Sequence, residues 1–114
     1  MKLSAFLEKL TQHPEQIEFA DTIAAIEANY EFVPTQFLNG SIGNEDNQNN
    51  GSCKIFAFGL LNNLSSEQTL ACFGTYYRDD VLKHSEGTDH PNIRNFIVSA
   101  WEGIKFEGVA LNVR

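Results

Sequence analysis

Cys53 is the residue whose type and position could most directly do chemistry. It stands in the string QNNGSCKIF (48–56), beside an apolar run that predicts a helix. A thiol in the first turn of a helix lies near free backbone N–H groups and the positive end of the helix dipole, which favour the thiolate. Lys54 adds a positive charge next to it. With His90 as base and Asp89 to orient it, Cys53 could serve a small cysteine-dependent hydrolase or transferase.

This set resembles a known catalytic motif only in part. GSC (51–53) is similar to the nucleophile region of papain-like cysteine proteases, but Lys54 stands where that motif has an aromatic residue. Those enzymes carry their histidine more than about 100 residues after the cysteine, and His90 follows Cys53 much sooner. Free cysteine is among the most often buried residue types. The sequence therefore favours core positions for Cys53 and for Cys72.

Metal ligation is the second chemistry that the sequence could offer. His84, Asp89 and His90 lie near one another along the chain, and Cys53 could join them. The ligand pairs two to four residues apart that usually organise zinc are absent, so we expect no metal ion and no cofactor.

Helix capping explains the segment TDHPN (88–92) without a catalytic role. His90 precedes a proline and is pushed towards an extended conformation, and the Asp89 side chain can accept from N–H groups of a helix that follows.

Two polar loops and one charged patch could contact a partner. GNEDNQNNG (43–51) contains no apolar residue and four asparagines, and it opens directly onto Cys53. A second loop surrounds Asp89 and His90. Exposed loops held by a rigid scaffold often carry binding residues. YYRDD (76–80) could form a patch for a peptide, although a solvated helix face with local ion pairs is the commoner role for such a string.

Helices are predicted where apolar residues recur at three and four positions along the chain. The first covers residues 3–10 and ends before Pro14. The second begins after Asp21, a good N-cap, and covers residues 22–30. Residues 17–19 alternate between apolar and polar, which leaves a short strand open as the alternative to a helix there.

The later helices carry clearer end signals. Ser52 is the expected N-cap of a helix that is apolar on nearly every side, and such a helix is buried all round. Ser65 and Gln68 have the spacing of a capping box for the next helix. Apolar residues over 93–101 predict a last helix, and Gly103 stands where a left-handed stop is expected.

Two strand-like segments complete the predicted fold. Residues 35–42 contain Asn39-Gly40, a dipeptide typical of type I′ hairpin turns, and residues 104–109 alternate between apolar and polar. With 114 residues, 42% of them hydrophobic, the chain can bury one core. We predict a helix-dominated α+β fold, one domain over residues 1–114, with a small antiparallel sheet whose strands lie near 35–42 and 104–109.

The charge and hydrophobicity of the chain limit the classes of partner that the protein can bind. The chain has 8 Lys+Arg against 15 Asp+Glu and a formal net charge of −7, which would repel nucleic acid and anionic membranes. No stretch approaches the roughly 18 consecutive apolar residues that a spanning helix needs. Glu8 and Lys9 interrupt the apolar stretch near the start, unlike a signal peptide. The two cysteines are too few for a disulfide scaffold, so we expect both to be reduced.

Four blocks of sequence occur in the order typical of one bacterial family. They are GSCKIFAF (51–58), SSEQTLACFGTYYRDDVL (65–82), EGTDHPNIRNF (86–96) and WEGIKFEG (101–108). On these blocks the chain resembles the HopJ type III effector protein family. The resemblance implies a HopJ-like domain but no established biochemical activity. The family takes its name from proteins of plant-pathogenic bacteria that a type III secretion system delivers into host cells.

The start of the chain differs from the unstructured, polar signals of such effectors. Residues 3–10 are patterned as a helix, so we expect a role in the bacterial cytoplasm rather than in a host cell. The function we favour is a non-catalytic module that engages a protein partner through the 43–51 loop and the Asp89-His90 loop. The alternative is the thiol enzyme, which requires an exposed Cys53 within about 4 Å of His90.

Overall fold

Five α-helices and two small antiparallel sheets make up residues 2–114, which the computed structural model describes. The α-helices are α1 (Leu3–Gln12), α2 (Phe19–Asn29), α3 (Asn50–Leu61), α4 (Ser66–Ala71) and α5 (Pro91–Ser99). Shorter helical segments lie at Pro14–Gln16, Tyr76–Val81 and Ala100–Gly103. The strands are β1 (Tyr30–Phe32), β2 (Phe37–Asn39), β3 (Ile42–Asn44), β4 (Ile104–Phe106) and β5 (Leu111–Val113). The helix-dominated α+β class is confirmed. No helix within 2–114 is long and apolar enough to cross a membrane.

The larger sheet confirms the predicted pairing of the early and late strands. β2 lies in the centre, and Phe37 stands opposite Asn44 of β3 and Phe106 of β4. A second sheet was not predicted. It pairs β1 with β5, with Tyr30 opposite Val113. Its strands, YEF and LNV, alternate over only three residues and have neither the turn dipeptide nor the longer alternating run that marks the strands of the larger sheet.

The hairpin turn lies one residue later than the sequence suggests. Asn39 pairs with Ile42, so the turn consists of Gly40 and Ser41. Gly40 has a φ of +62°, and glycine at the first turn position is typical of a type II′ turn. Asn39 therefore remains in β2, and its side chain is fully buried.

Aromatic side chains from all parts of the chain fill the core. Phe56 of α3 is fully buried. Its ring centroid lies 6.0, 5.6 and 4.8 Å from those of Phe37, Phe73 and Phe96. The prediction that this helix is buried on every side is correct for residues 53 and 55–59 but wrong for its end, because Leu60 and Leu61 are exposed.

One predicted helix start is confirmed and one is wrong. The Gln68 N–H donates to Ser65 Oγ (3.1 Å), and the Ser65 N–H donates to Gln68 Oε1 (3.0 Å), which is the predicted capping box. α2 begins at Phe19 rather than after Asp21, because Glu18 is the N-cap and Asp21 closes a second capping box. Residues 17–19 therefore form no strand.

The start of α3 and the end of α5 also differ from the prediction. Asn49, with a φ of +55°, precedes α3, so Ser52 lies inside the helix and is not its N-cap. α5 ends at Ser99, and the residue that terminates it is Ala100 rather than Gly103, with φ +50° and ψ −148°. Only glycine adopts that region without steric cost.

The Ala100→Gly variant is expected to gain about 1 kcal/mol of unfolding free energy, because glycine relieves the strain at this position. Urea denaturation followed by circular dichroism measures the change. Ala24→Gly is the matched control, because Ala24 is exposed inside α2 and glycine there should cost about 1 kcal/mol. Equal losses of stability in both variants would contradict a strained Ala100.

Candidate functional site

The two loops predicted to contact a partner meet at one cleft, here named the interloop cleft. The end of the 43–51 loop and the first turn of α3 contribute Asn49, Gly51 and Ser52. The start of α5 contributes His90 to Ile93. The cleft has a volume of about 300 Å³. Its remaining lining is aromatic and comes from Phe19, Phe73 and Tyr76.

A buried cluster of asparagines joins the two loops. Asn92 of α5 is 4% exposed, and its Nδ2 donates to Asn44 Oδ1 (2.9 Å). Asn44 Nδ2 donates back to Asn92 Oδ1 (3.2 Å), and Asn49 Nδ2 donates to Asn44 Oδ1 (2.7 Å). Asn39 Nδ2 donates to the backbone carbonyl (2.8 Å) and to Oδ1 (3.0 Å) of Asn92. These bonds connect the hairpin, the loop and α5.

The asparagine cluster corrects the prediction that the whole 43–51 loop is solvated. Asn44 belongs to β3 and is buried, whereas residues 45–49 are exposed. A buried amide left without a partner costs about 1–3 kcal/mol, so the bonds within the cluster strongly favour this one arrangement. They hold the rim of the interloop cleft in place.

His90 has a strained backbone at the edge of the interloop cleft. Its φ of 48° and ψ of 56° are left-handed, whereas an extended conformation is expected before Pro91. Its Nε2 lies 3.0 Å from Oδ2 of Asp80 and 3.7 Å from Oδ2 of Asp89. Its ring centroid lies 5.2 Å from that of Tyr76. Strained non-glycine residues persist where their surroundings fix them, and they cluster at functional sites.

Asp80 reaches His90 from an irregular helix. Residues Tyr76–Val81 are π-helical, and the Leu82 N–H bonds the Tyr77 carbonyl five residues back (3.0 Å). Such turns occur frequently at functional sites. Because of this turn, the residues of the patch predicted over 76–80 contact different neighbours. Asp79 pairs with Lys83, which follows the end of this helix, whereas Asp80 and Tyr76 turn towards His90.

Arg94 fixes the loop that carries Asp89. Its guanidinium hydrogen-bonds Asp89 Oδ1 and the backbone carbonyls of His84 (2.8 Å) and Asp80 (3.3 Å). The predicted capping role of Asp89 is wrong, because α5 has no side-chain cap and Asp89 bonds Arg94 instead. This hydrogen bond lowers the pKa of the Asp89 carboxyl, so that the group is ionised at neutral pH.

Cys53 does not line the interloop cleft. It is 1% exposed, and its Sγ lies 3.9 Å from the Thr35 carbonyl oxygen. The Cys53 N–H already donates to Asn49 within the helix (3.0 Å), so the thiol lies beyond the free N–H groups that would favour a thiolate. Burial raises the pKa of Cys53, and it raises the pKa of Cys72 to about 12. The core positions are confirmed, and His90 pairs with carboxylates rather than with a thiol.

Both thiols are expected to resist alkylation in the folded protein. Because burial disfavours the thiolate, iodoacetamide at pH 8 should label Cys53 and Cys72 at least about 100-fold more slowly than in urea-unfolded protein. Mass spectrometry of the labelled peptides measures both rates. Fast native labelling of Cys53 with an apparent pKa below the free value of about 8.5, slowed by His90→Ala, would restore the thiol enzyme.

Asp80, Asp89 and His90 have ligand atoms within 4.8 Å of one another, which is close enough for one metal ion. The set differs from the one considered in the sequence, because Asp80 takes the place of His84. Asp89 Oδ1 is committed to Arg94, and His90 Nε2 to Asp80. Bonds among protein groups account for this cluster, so we assign no metal to it, and its absence stays a prediction.

Comparisons with known proteins find a matching family and a similar solved structure. The family model described as HopJ type III effector protein matches residues 3–111. A crystal structure described as that of unknown function protein VPA0580 is 60% identical, with a TM-score of 0.99, over 100% of this chain and 95% of that one. None of the curated proteins compared with the chain matches it. The chain belongs to the HopJ type III effector protein family.

Proposed function

We propose that the protein is a non-catalytic binding domain whose interloop cleft holds a segment of a protein partner. The observation that carries this proposal is the convergence of two loops, far apart in the sequence, on one concave site. Ligand sites are typically concave and combine apolar walls with a few fixed polar groups. The interloop cleft has this character, with aromatic rings beside Asn49, Ser52 and His90.

The size and the rigidity of the cleft favour a peptide segment. A volume of about 300 Å³ lies at the lower end for ligand pockets and suits one or two side chains of a larger partner. The asparagine cluster fixes one rim and Arg94 fixes the other, so little conformational entropy is lost when a partner binds. Preorganisation of this kind lowers the free-energy cost of binding a partner segment.

The residues needed for the enzyme alternative are not arranged for it. The candidate nucleophile, Cys53, is buried outside the interloop cleft, and its pKa is raised. His90 faces Asp80 and Asp89 rather than a thiol. We place the partner in the bacterial cytoplasm, and delivery to a host cell is the alternative suggested by the family name.

Site-specific photo-crosslinking tests the proposal. A benzophenone amino acid replaces Gln48, which is exposed in the 43–51 loop, in one sample and Val113 in another. Val113 is 79% exposed and pairs with Tyr30, which follows α2. Phe19, at the opposite end of α2, lines the cleft, and the helix is about 16 Å long, so Val113 is a remote control.

We expect a crosslinked protein in bacterial cells from position 48 and not from position 113. The same product should disappear when Ser52→Trp fills the cleft in the position-48 sample. A product that persists in the Ser52→Trp background, or a pattern that is the same at both positions, would contradict the proposed site. Circular dichroism of Ser52→Trp establishes that the variant is folded.

A further inference from the structure

We infer that the interloop cleft selects a lysine or arginine side chain of the partner segment. This inference rests on the proposed function and deepens it, because it names the chemistry that the cleft recognises. It depends on two features, the aromatic rings that line the cleft and the uneven distribution of charge around His90. The charge distribution is not used to support the proposed function, so this inference can fail while that function stands.

The aromatic rings form a continuous row. The ring centroids of Phe19 and Tyr76 lie 5.2 Å apart in an edge-to-face arrangement, and Tyr76 lies 5.2 Å from His90 on its other side. Tyr76 remains 42% exposed, although a tyrosine ring is largely apolar. A cation within about 6 Å of an aromatic centroid is attracted by the ring quadrupole. The ring of Tyr76 is placed to meet the aliphatic stem or the charged end of a basic side chain.

Only one of the two acidic groups next to the row is paired with an arginine. Asp80 and Asp89 both approach His90, and their side chains are 47% and 58% exposed. The Arg94 guanidinium contacts Asp89 but reaches only the backbone carbonyl of Asp80. The Asp80 carboxylate has only the imidazole of His90 as a partner among the side chains of residues 2–114.

The other nearby arginine is also committed elsewhere. Arg78 donates to the carbonyl of Ile17 (2.7 Å) and to Glu18 Oε1 (3.0 Å). Glu45 and Asp46 in the neighbouring loop are exposed and add negative charge. With a net charge of −7 on the whole chain, the field favours a basic segment and disfavours an acidic one.

A peptide selection tests the inference. A random twelve-residue library is bound to the wild-type protein, and binders that also bind Ser52→Trp are removed. We expect the remaining peptides to share a lysine or arginine at one position, and replacement of that residue by alanine should weaken binding at least about tenfold. Peptides that need an open cleft but share no basic residue would overturn the inference and leave the proposed function standing. The absence of any Ser52-sensitive peptide would overturn both.

A pair of neighbouring aspartates supplies the matched variants. Asp80→Asn keeps the shape of the side chain and removes its charge, and it should weaken a selected peptide about fivefold. Asp79→Asn is the control, because Asp79 is 50% exposed on the same helix but pairs with Lys83 (3.1 Å). Binding to the wild type should also weaken between 0.05 and 0.5 M salt. Equal affinity of the Asp80→Asn and Asp79→Asn variants would contradict recognition of a cation at this site.

Discussion

The Phe56→Ala variant is expected to lose about 4 kcal/mol of unfolding free energy. Phe56 is fully buried at the centre of the core, with three other phenylalanine rings within 6.0 Å of its own, measured between centroids. Truncation removes its buried apolar surface and leaves a cavity that these rigid neighbours cannot fill. Because domains of this size are stable by about 5–15 kcal/mol, the substitution should remove at least about a quarter of the total stability.

Urea denaturation followed by circular dichroism measures this loss. Tyr76→Ala is the control, because Tyr76 is part exposed and its removal should cost less than about 1.5 kcal/mol. The comparison also separates the core from the cleft, since Tyr76→Ala should weaken partner binding in a folded protein. A loss below about 2 kcal/mol for Phe56→Ala would show that the core does not centre on this ring.

The Asn92→Ala variant is expected to lose about 3 kcal/mol and to loosen the interloop cleft. It removes the side-chain acceptor of Asn44 Nδ2 and one of two acceptors of Asn39 Nδ2, and it removes the donor to Asn44 Oδ1. Buried amide groups without partners each cost about 1–3 kcal/mol. Because Asn44 also holds Asn49, the damage should spread to the rim of the cleft.

Denaturation and amide NMR spectra together test this expectation. Asn112→Ala is the matched control, because Asn112 is exposed in β5 and its loss should change stability by less than about 0.5 kcal/mol. In Asn92→Ala, the amide resonances of residues 44–52 should shift or broaden, and those of β1 and β5 should not. A stability change as small as the control's would mean that the asparagines do not hold the loops.

The helices were largely predictable because most of them bury a stripe of apolar residues with a regular period. The last helix is an example, since the spacing over 93–101 reflects the packing of Ile93 and Phe96 in the core. Its end was not predictable. Gly103 has the expected residue type, but the chain turns at Ala100, where no local signal marks a positive φ.

The site was predictable only in its loops. A run such as 43–51, without apolar residues, is unlike a helix or a strand, and its residues 45–49 form a loop as predicted. The burial of Asn44 and Asn92 depends on tertiary contact between β3 and α5, which local sequence does not encode. The approach of Asp80 to His90 likewise depends on a π-helical turn and could not be foreseen.

Cys53 shows how a shift of three residues in the start of a helix changes a functional interpretation. With Ser52 as N-cap, the thiol would have stood in the first turn of the helix beside free N–H groups. In the structure, α3 begins at Asn50, and the Cys53 N–H is already bonded to the Asn49 carbonyl. The residue is therefore part of the core, and His90 rather than Cys53 lines the interloop cleft.

The affinity of the crosslinked partner for two tryptophan variants tests the central claim most directly. Isothermal titration with the purified partner compares Ser52→Trp, which fills the interloop cleft, with Val113→Trp, which adds the same side chain at a remote exposed position. We predict that Ser52→Trp weakens binding at least about tenfold and that Val113→Trp binds like the wild type. Equal dissociation constants for the two folded variants would show that the partner does not bind at the interloop cleft.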